Sequence, residues 1–199
     1  MDALIIIDVQ NDFCTGGALA VPGSEEVVPR INAVSSNFAL TAATQDWHPP
    51  GHISFASAHG ETPGKTIGLP SGPQMLWPDH CVQGSPGADF HPELNLKPVS
   101  LIIRKGTRPK MDSYSAFLEN DHSTSTGLAA CLKSLGVTKV FLCGLATDYC
   151  VYFSAMDAVA AGFETAVIEN AVRGVNIPEG SITAAVETMK KNSIQFVKL

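Results

Sequence analysis

The sequence predicts an α/β fold, a doubly wound and mostly parallel six-stranded sheet with helices on both faces. Continuous apolar runs recur along the chain, as expected for strands that are buried on both faces of a parallel sheet. Segments with helical periodicity lie between several of these runs, which indicates βαβ units. A length of 199 residues suits one α/β domain, so we expect residues 1–199 to form a single domain.

Six apolar runs are the predicted strands of this sheet. They cover residues 3–7, 39–44, 100–103, 139–143, 165–168 and 194–197. Runs that lack polar alternation are typical of strands covered on both faces. Parallel strands need crossover connections, which we expect to be right-handed.

Four helices are predicted between these strands. Ser24 is expected to be the N-cap of the first helix, whose apolar stripe is formed by Val27, Val28, Ile31 and Val34. The other three helices cover residues 126–135, 149–161 and 181–191. Gly136 and Gly162 directly follow two of them, and glycine is the residue that most often ends a helix.

The segment 47–98 does not fit the alternation of strands and helices. It holds most of the prolines and five of the six histidines, with little periodicity. Long irregular segments inside compact domains are usually functional. Its four large aromatic residues argue against a disordered linker. We therefore expect an ordered excursion that contributes to the active site.

The overall composition excludes several classes of partner. A net charge of −6 argues against nucleic acid, which needs clustered lysine and arginine. No apolar run is long enough to span a membrane. The chain has five cysteines, which are Cys14, Cys81, Cys131, Cys143 and Cys150. An odd number of cysteines without a CxxC pair favours a reducing, cytoplasmic location over a disulfide framework. A homo-oligomer is compatible with this composition.

Reactive side chains follow the ends of several predicted strands. Asp8 follows the first, Lys105 follows the third, and Cys150 follows the fourth. Because ligands bind beyond the carboxyl ends of parallel strands, we expect these three side chains to converge. A carboxylate can take the proton of a thiol and pass it to a leaving group, while a lysine holds positive charge near the thiolate.

Cys150 is the candidate nucleophile. It is predicted at the N-terminus of a helix, where the macrodipole lowers the pKa of a thiol and free backbone amides can hold an oxyanion. The alternative is a small core residue, the role we expect for Cys131 and Cys143. Position alone leaves both interpretations open.

A candidate metal site is formed by Asp46, His48 and His80. Two imidazoles and a carboxylate suit zinc, with iron or manganese as alternatives, and leave coordination positions free for water or substrate. The alternative is a set of turn residues and a hydrogen-bonded histidine. His52 or Glu61 could add a further ligand. Phe13 and Trp77 flank these polar groups and could form apolar walls for a flat ring.

The motifs around these residues resemble one known family. The chain is similar over nearly its whole length to the nicotinamidases, a family of the isochorismatase-like cysteine hydrolase superfamily. The matching motifs include Ile7–Phe13, Gln45–Pro49, Trp77–Gly84, Gly87–Pro92, Asp112–Phe117 and Gly144–Val151.

The resemblance implies a fold, an activity and a set of site residues. It implies that the chain is an amidohydrolase that converts nicotinamide to nicotinate and ammonia through a cysteine thioester, in NAD salvage. It implies a triad of Asp8, Lys105 and Cys150, and one divalent metal on Asp46, His48 and His80 that orients the pyridine ring. It also implies an oxyanion hole from the amides of Ala146 and Cys150, a cis peptide between Leu145 and Ala146, and ring packing by Phe13 and Trp77.

Three other functions compete with this one. A relative in the same superfamily could act on a carbamoyl, ureido or enol-ether substrate, although such relatives generally lack the metal set. An idle binding protein would lack the nucleophile or the lysine, and both are present. In a metal-activated hydrolase, a metal-bound hydroxide would attack and Cys150 would be incidental.

Overall fold

A computed structural model describes residues 1–199 and contains eight strands and four α-helices. The strands are β1 (Asp2–Ile7), β2 (Leu40–Asp46), β3 (Thr66–Leu69), β4 (Gly72–Met75), β5 (Val99–Lys105), β6 (Lys139–Leu145), β7 (Glu164–Arg173) and β8 (Gln195–Val197). The helices are α1 (Val27–Val34), α2 (Leu128–Ser134), α3 (Cys150–Ala160) and α4 (Ser181–Lys191).

Six of the strands form one sheet in the order β5-β2-β1-β6-β7-β8. Every neighbouring pair in this sheet is parallel. The predicted α/β class with a six-stranded parallel sheet is therefore confirmed. The six predicted runs correspond to the six strands. The largest difference is at the C-terminal end of β7, which extends five residues beyond the predicted run.

The central strand β1 packs against helices on both faces. Ile5 and Ile7 lie in the core cluster that contains buried residues of α2, α3 and α4. Leu4 and Ile6 lie in a second cluster, which contains the buried residues of α1. Successive side chains of a strand point to opposite faces, so a strand covered on both sides is apolar at every position. This arrangement explains the continuous apolar run.

Two helix starts differ from the sequence prediction. Ser24 does not cap α1; it begins a 3-10 turn, Ser24–Glu26, and its hydroxyl contacts Glu25 instead of a backbone amide. Gly23, in the left-handed region with φ +72°, precedes that turn. Helix α2 begins at Leu128 instead of residue 126, because the Thr126 hydroxyl donates to the carbonyls of Ala116 and Phe117 and fixes a turn there.

The excursion 47–98 is ordered around buried side chains. His52, Phe55, Leu76 and Trp77 are all buried in it. It also contains an antiparallel hairpin of β3 and β4, which the sequence did not predict. No helix of the structure combines the length and the apolar character needed to cross a bilayer.

The five cysteines are free thiols. Cys143 is buried in the core as expected, whereas Cys131 on α2 is partly exposed and the prediction of a core position for it is wrong.

Candidate active site

The candidate residues meet at the carboxyl edge of the sheet. Asp8 directly follows β1, Asp46 ends β2 and Lys105 ends β5. Asp46 and Lys105 are paired in register across β2 and β5. Cys150 is the first residue of α3, which follows β6 after a short turn. The parallel strands thus place four side chains that are distant in sequence at one buried point.

Lys105 is the centre of this cluster. Its ammonium lies 2.8 Å from Asp8 Oδ2 and also forms an ion pair with Asp46. It donates to the Ser113 carbonyl at 2.9 Å and lies 3.4 Å from Cys150 Sγ. Burial opposes the charge on Lys105, but the carboxylates of Asp46 and Asp8 outweigh it and hold the pKa of the ammonium well above its usual value.

One carboxylate oxygen of Asp8 accepts a hydrogen bond and the other does not. The Thr44 hydroxyl donates to Oδ1 at 2.6 Å, whereas no well-directed hydrogen bond reaches Oδ2, which faces the Lys105 ammonium. Complete burial raises the pKa of the Asp8 carboxyl, although the Coulombic attraction of Lys105 opposes this shift. A carboxyl whose pKa is raised binds a proton more readily than an ordinary aspartate, which suits a group that takes a proton and then returns it.

Cys150 has a raised thiol pKa. Burial is the main cause, and the charges of Asp8 and Asp46 add to it, while Lys105 lowers the pKa. The expectation that the helix N-terminus gives a lowered thiol pKa is therefore wrong in this structure, because the macrodipole acts on a thiol that is almost completely withdrawn from water. The nearby Asp8 carboxylate is the group available to take the thiol proton.

Two free backbone amides lie beside Cys150. No carbonyl or side chain accepts a hydrogen bond from the amide of Ala146 or the amide of Cys150. Both residues line the same cavity. The peptide between Leu145 and Ala146 is cis, as the resemblance implies. Gly144 is required before it, because a Cβ there would lie 2.1 Å from the Ile7 carbonyl oxygen.

Asp46, His48 and His80 form a set of potential metal ligands. Asp46 Oδ2 lies 3.6 Å from His48 Nε2 and 3.9 Å from His80 Nε2. His48 Nδ1 is 3.0 Å from the Gly106 carbonyl, and His80 Nδ1 is 2.7 Å from the Pro78 carbonyl. Because a carbonyl only accepts, each Nδ1 carries a hydrogen, and Nε2 is the ring nitrogen that faces Asp46.

The charges of this set favour metal binding. The Asp46 carboxyl is buried, yet Lys105 and His48 hold its pKa well below the usual value, so it is ionised. Burial, together with the charge of His48, lowers the pKa of His80 to about 4 and keeps its imidazole neutral. Burial opposes a charge on His48, but Asp46 raises the pKa of this imidazole, so a metal ion bound here would take the place of a proton on His48 Nε2. The buried carboxylate and the two imidazoles, with ligand atoms within 4.8 Å of one another, are ligand types that a divalent ion takes.

His52 and Glu61 are placed differently from this set. His52 Nδ1 is 2.7 Å from Ser54 Oγ and Nε2 is 3.1 Å from the Met111 carbonyl, so both ring nitrogens are occupied. The His52 ring stacks on His48 with centroids 4.2 Å apart and so supports that ligand. Glu61 is exposed and pairs with Lys65.

A small cavity with mostly apolar walls opens onto these groups. Of the predicted wall residues, both Phe13 and Trp77 line it. The other wall residues, for which the sequence predicted no role, are Leu19, Asp112, Tyr114, Tyr149 and Val175. Trp77 Nε1 donates to the Tyr114 hydroxyl at 3.1 Å, which fixes two of the rings. Position offers a signal for two of these residues, since Tyr149 precedes the nucleophile and Tyr114 follows the β5 strand.

Comparisons with known proteins give matches over nearly the whole chain. The family model described as the isochorismatase domain matches residues 2–197. The nicotinamidase of Acinetobacter baylyi is 50% identical over 196 residues, which are 98% of this chain and 91% of that protein.

Two solved structures have the same fold. A nicotinamidase/pyrazinamidase of Acinetobacter baumanii superposes with a TM-score of 0.97 at 47% identity, over 99% of this chain and 95% of that one. A pyrazinamidase of Pyrococcus horikoshii in complex with zinc superposes with a TM-score of 0.81 at 38% identity, over 100% of this chain and 99% of that one.

Proposed function

The chain belongs to the isochorismatase domain family, and from this premise we propose that it is a nicotinamidase, which hydrolyses nicotinamide to nicotinate and ammonia. The observation that carries the proposal is the meeting of Asp8, Lys105 and Cys150 at the end of an aromatic-walled cavity. The relatives at 50% and 47% identity, which are named for this activity, support it.

Asp8 and Cys150 carry the chemistry in this proposal. The open Oδ2 of Asp8 accepts the thiol proton of Cys150. The thiolate attacks the amide carbon, and the carbon–nitrogen bond breaks when Asp8 returns the proton to the departing ammonia. Water then attacks the thioester, with Asp8 again taking a proton, and releases the carboxylic acid product and the thiol.

Lys105 and the two free amides stabilise charge along this path. The Lys105 ammonium, 3.4 Å from Sγ, favours the thiolate as it forms. The amides of Ala146 and Cys150 donate to the oxygen of the tetrahedral intermediate, where negative charge develops. Donors that are fixed before reaction need no rearrangement at the moment the charge appears.

We propose that Asp46, His48 and His80 hold one divalent metal ion. When bound, the ion would act as a Lewis acid towards the ring nitrogen and so orient the substrate ring. Zinc is our first choice for a carboxylate and two imidazoles, with iron and manganese as alternatives. The Pyrococcus horikoshii pyrazinamidase, in complex with zinc, supports this choice.

The walls of the cavity suit a flat aromatic ring. Phe13 and Trp77 lie on its boundary, and Phe13 packs edge-on against His80 with ring centroids 5.5 Å apart. Apolar and aromatic walls around a few polar groups are typical of sites for small ligands. A single-ring carboxamide suits such walls.

The first test is ammonia release from nicotinamide, measured with and without pretreatment by iodoacetamide. We expect rapid release from the metal-replete protein and its loss after alkylation. No release would reject nicotinamide as the substrate and direct attention to ureido and carbamoyl amides. Release that survives complete alkylation of Cys150 would favour attack by metal-bound hydroxide instead of the thiolate.

A further inference from the structure

The loop between β7 and α4, residues 174–180, closes one side of the cavity. It carries Val175, which lines the cavity together with Phe13 and Trp77. The loop itself is largely exposed, with Asn176 in the left-handed region at φ +56°. Nothing in its own sequence explains why it should hold Val175 in one place.

A buried carboxylate accepts hydrogen bonds from two backbone amides of this loop. Asp148 Oδ1 accepts a hydrogen bond from the Val175 amide at 3.0 Å. Asp148 Oδ2 accepts from the Asn176 amide at 2.9 Å and from the Ser181 hydroxyl at 2.5 Å. Asp148 is only 6% exposed, and hydrogen bonds to an ionised acceptor are stronger than those to neutral groups.

Other contacts join the same two segments. The Thr147 amide donates to the Arg173 carbonyl at 2.8 Å, and the Tyr149 hydroxyl donates to the Ile177 carbonyl at 2.5 Å. Gly174 passes so close that a Cβ there would lie 2.8 Å from Asp148 Oδ1. The turn before the nucleophile is therefore bound along its length to the loop that bears Val175.

We propose that Asp148 is a positioning residue for substrate binding, which holds Val175 against the ring of the substrate through the 174–180 loop. Asp148 lies two residues before Cys150, yet its oxygens are fully engaged by the loop and have no role in moving a proton. Because Val175 is apolar and offers no group that takes part in the bond changes, it contacts substrate and transition state alike. Loss of its position raises KM and leaves kcat almost unchanged.

The chain offers a matched control for this role. Asp121 makes the same pattern of bonds in a loop outside the cavity, accepting from the amides of Ser123 and Thr124 and from the Thr124 hydroxyl. Substitution of Asp121 by asparagine changes the same chemistry at a turn that does not touch the cavity. The comparison separates the effect of an aspartate-to-asparagine substitution on general stability from its effect on the position of Val175.

The experiment compares wild type, Asp148→Asn, Val175→Ala and Asp121→Asn in steady-state turnover of nicotinamide. We expect KM to rise about tenfold in the first two variants, the size that follows from losing the apolar contact of one side chain, with kcat within about twofold. Asp121→Asn should match wild type. An unchanged KM in Asp148→Asn, or a loss confined to kcat, would overturn the proposal.

A second readout does not depend on the proposed function, on which the kinetic test rests. Cys150 is 6% exposed, so a loosened loop should admit iodoacetamide faster. Mass spectrometry of the peptide that contains Cys150 should show alkylation several-fold faster in Asp148→Asn and unchanged in Asp121→Asn. Equal rates in all three proteins would reject the role of Asp148 even if nicotinamide proved not to be the substrate.

If Asp148→Asn does not fold, Ser181→Ala replaces it. This variant removes one of the three hydrogen bonds and keeps both bonds to the loop amides. The same two readouts should then shift in the same direction by a smaller factor, and wild-type values for both would overturn the proposal.

Discussion

Lys105 and Asp46 form a buried ion pair that joins the candidate triad to the candidate metal site. Lys105 also contacts Asp8, so one ammonium serves two carboxylates that would otherwise repel each other in a water-free environment. The pairing follows from the sheet, because Asp46 and Lys105 are register partners at the ends of β2 and β5. A substitution of Lys105 therefore changes the charge balance of both the candidate triad and the candidate metal site.

Lys105→Met should destabilise the fold by about 3–5 kcal/mol, because it leaves two buried carboxylates without their counter-ion. Urea unfolding at neutral pH measures this. Lys139→Met is the control, since Lys139 pairs with Glu164 at the protein surface and its loss should cost less than about 1 kcal/mol. Similar losses in the two variants would show that the Lys105 pairs do not stabilise the fold.

Cys150→Ala should reduce ammonia release by about 10⁴-fold or more, because no other thiol reaches the cavity. Circular dichroism and metal content should stay as in wild type. The control is Cys131→Ala, which removes a partly exposed thiol on α2 and should keep full activity. Retained turnover in Cys150→Ala would reject the thioester mechanism.

His80→Ala should lose most of the bound metal, because it removes one of three ligands, while the sheet remains intact. Metal content per chain, measured by plasma mass spectrometry after dialysis, should fall well below that of wild type, and kcat/KM should fall with it by about 100-fold. His59→Ala in the same excursion changes an exposed histidine and should retain the metal. Full metal content in His80→Ala would place the ion elsewhere.

Gly106→Ala should weaken metal binding through His48. A Cβ at Gly106 would lie 2.4 Å from His48 Cε1 and 2.6 Å from Nδ1, so the ring must move. Gly51→Ala is the matched control, because Gly51 has a similar φ of +70° and nothing within 4 Å of its added Cβ. Both variants carry the same left-handed strain, so a lower metal affinity in Gly106→Ala alone isolates the contact with His48.

The central strands could be predicted from the sequence because burial on both faces leaves a continuous apolar run. The prediction of burial on both faces is wrong for β5, an edge strand in which alternate residues such as Ile102 are exposed. The expected convergence of Asp8, Lys105 and Cys150 followed from the rule that parallel strands present their carboxyl ends at one edge. The hairpin of β3 and β4 escaped prediction, because its strands contain Gly68 and Pro73 and bury little surface. Its register depends on the surrounding excursion instead of local propensity.

Other features depend on tertiary structure and give no local signal. The raised pKa of Cys150 comes from burial and from charges that lie more than 40 residues away in sequence, so helix position alone gave the wrong direction. The role of His52 as a stacking partner of His48 likewise depends on the Met111 carbonyl, which belongs to a different segment. Val175 lines the cavity from a loop whose backbone amides donate to Asp148, a residue 27 positions earlier in the chain.

The position of β5 at the edge of the sheet has a consequence for thermal inactivation. β5 is hydrogen-bonded to β2 on one side only, and Lys105 is its last residue. Edge strands unfold locally more readily than central strands. Warming should therefore detach Lys105 while β1 and β6 still hold Asp8 and Cys150 in place. Ammonia release is then lost at a lower temperature than far-ultraviolet dichroism, and amide hydrogens of β5 exchange before those of β1.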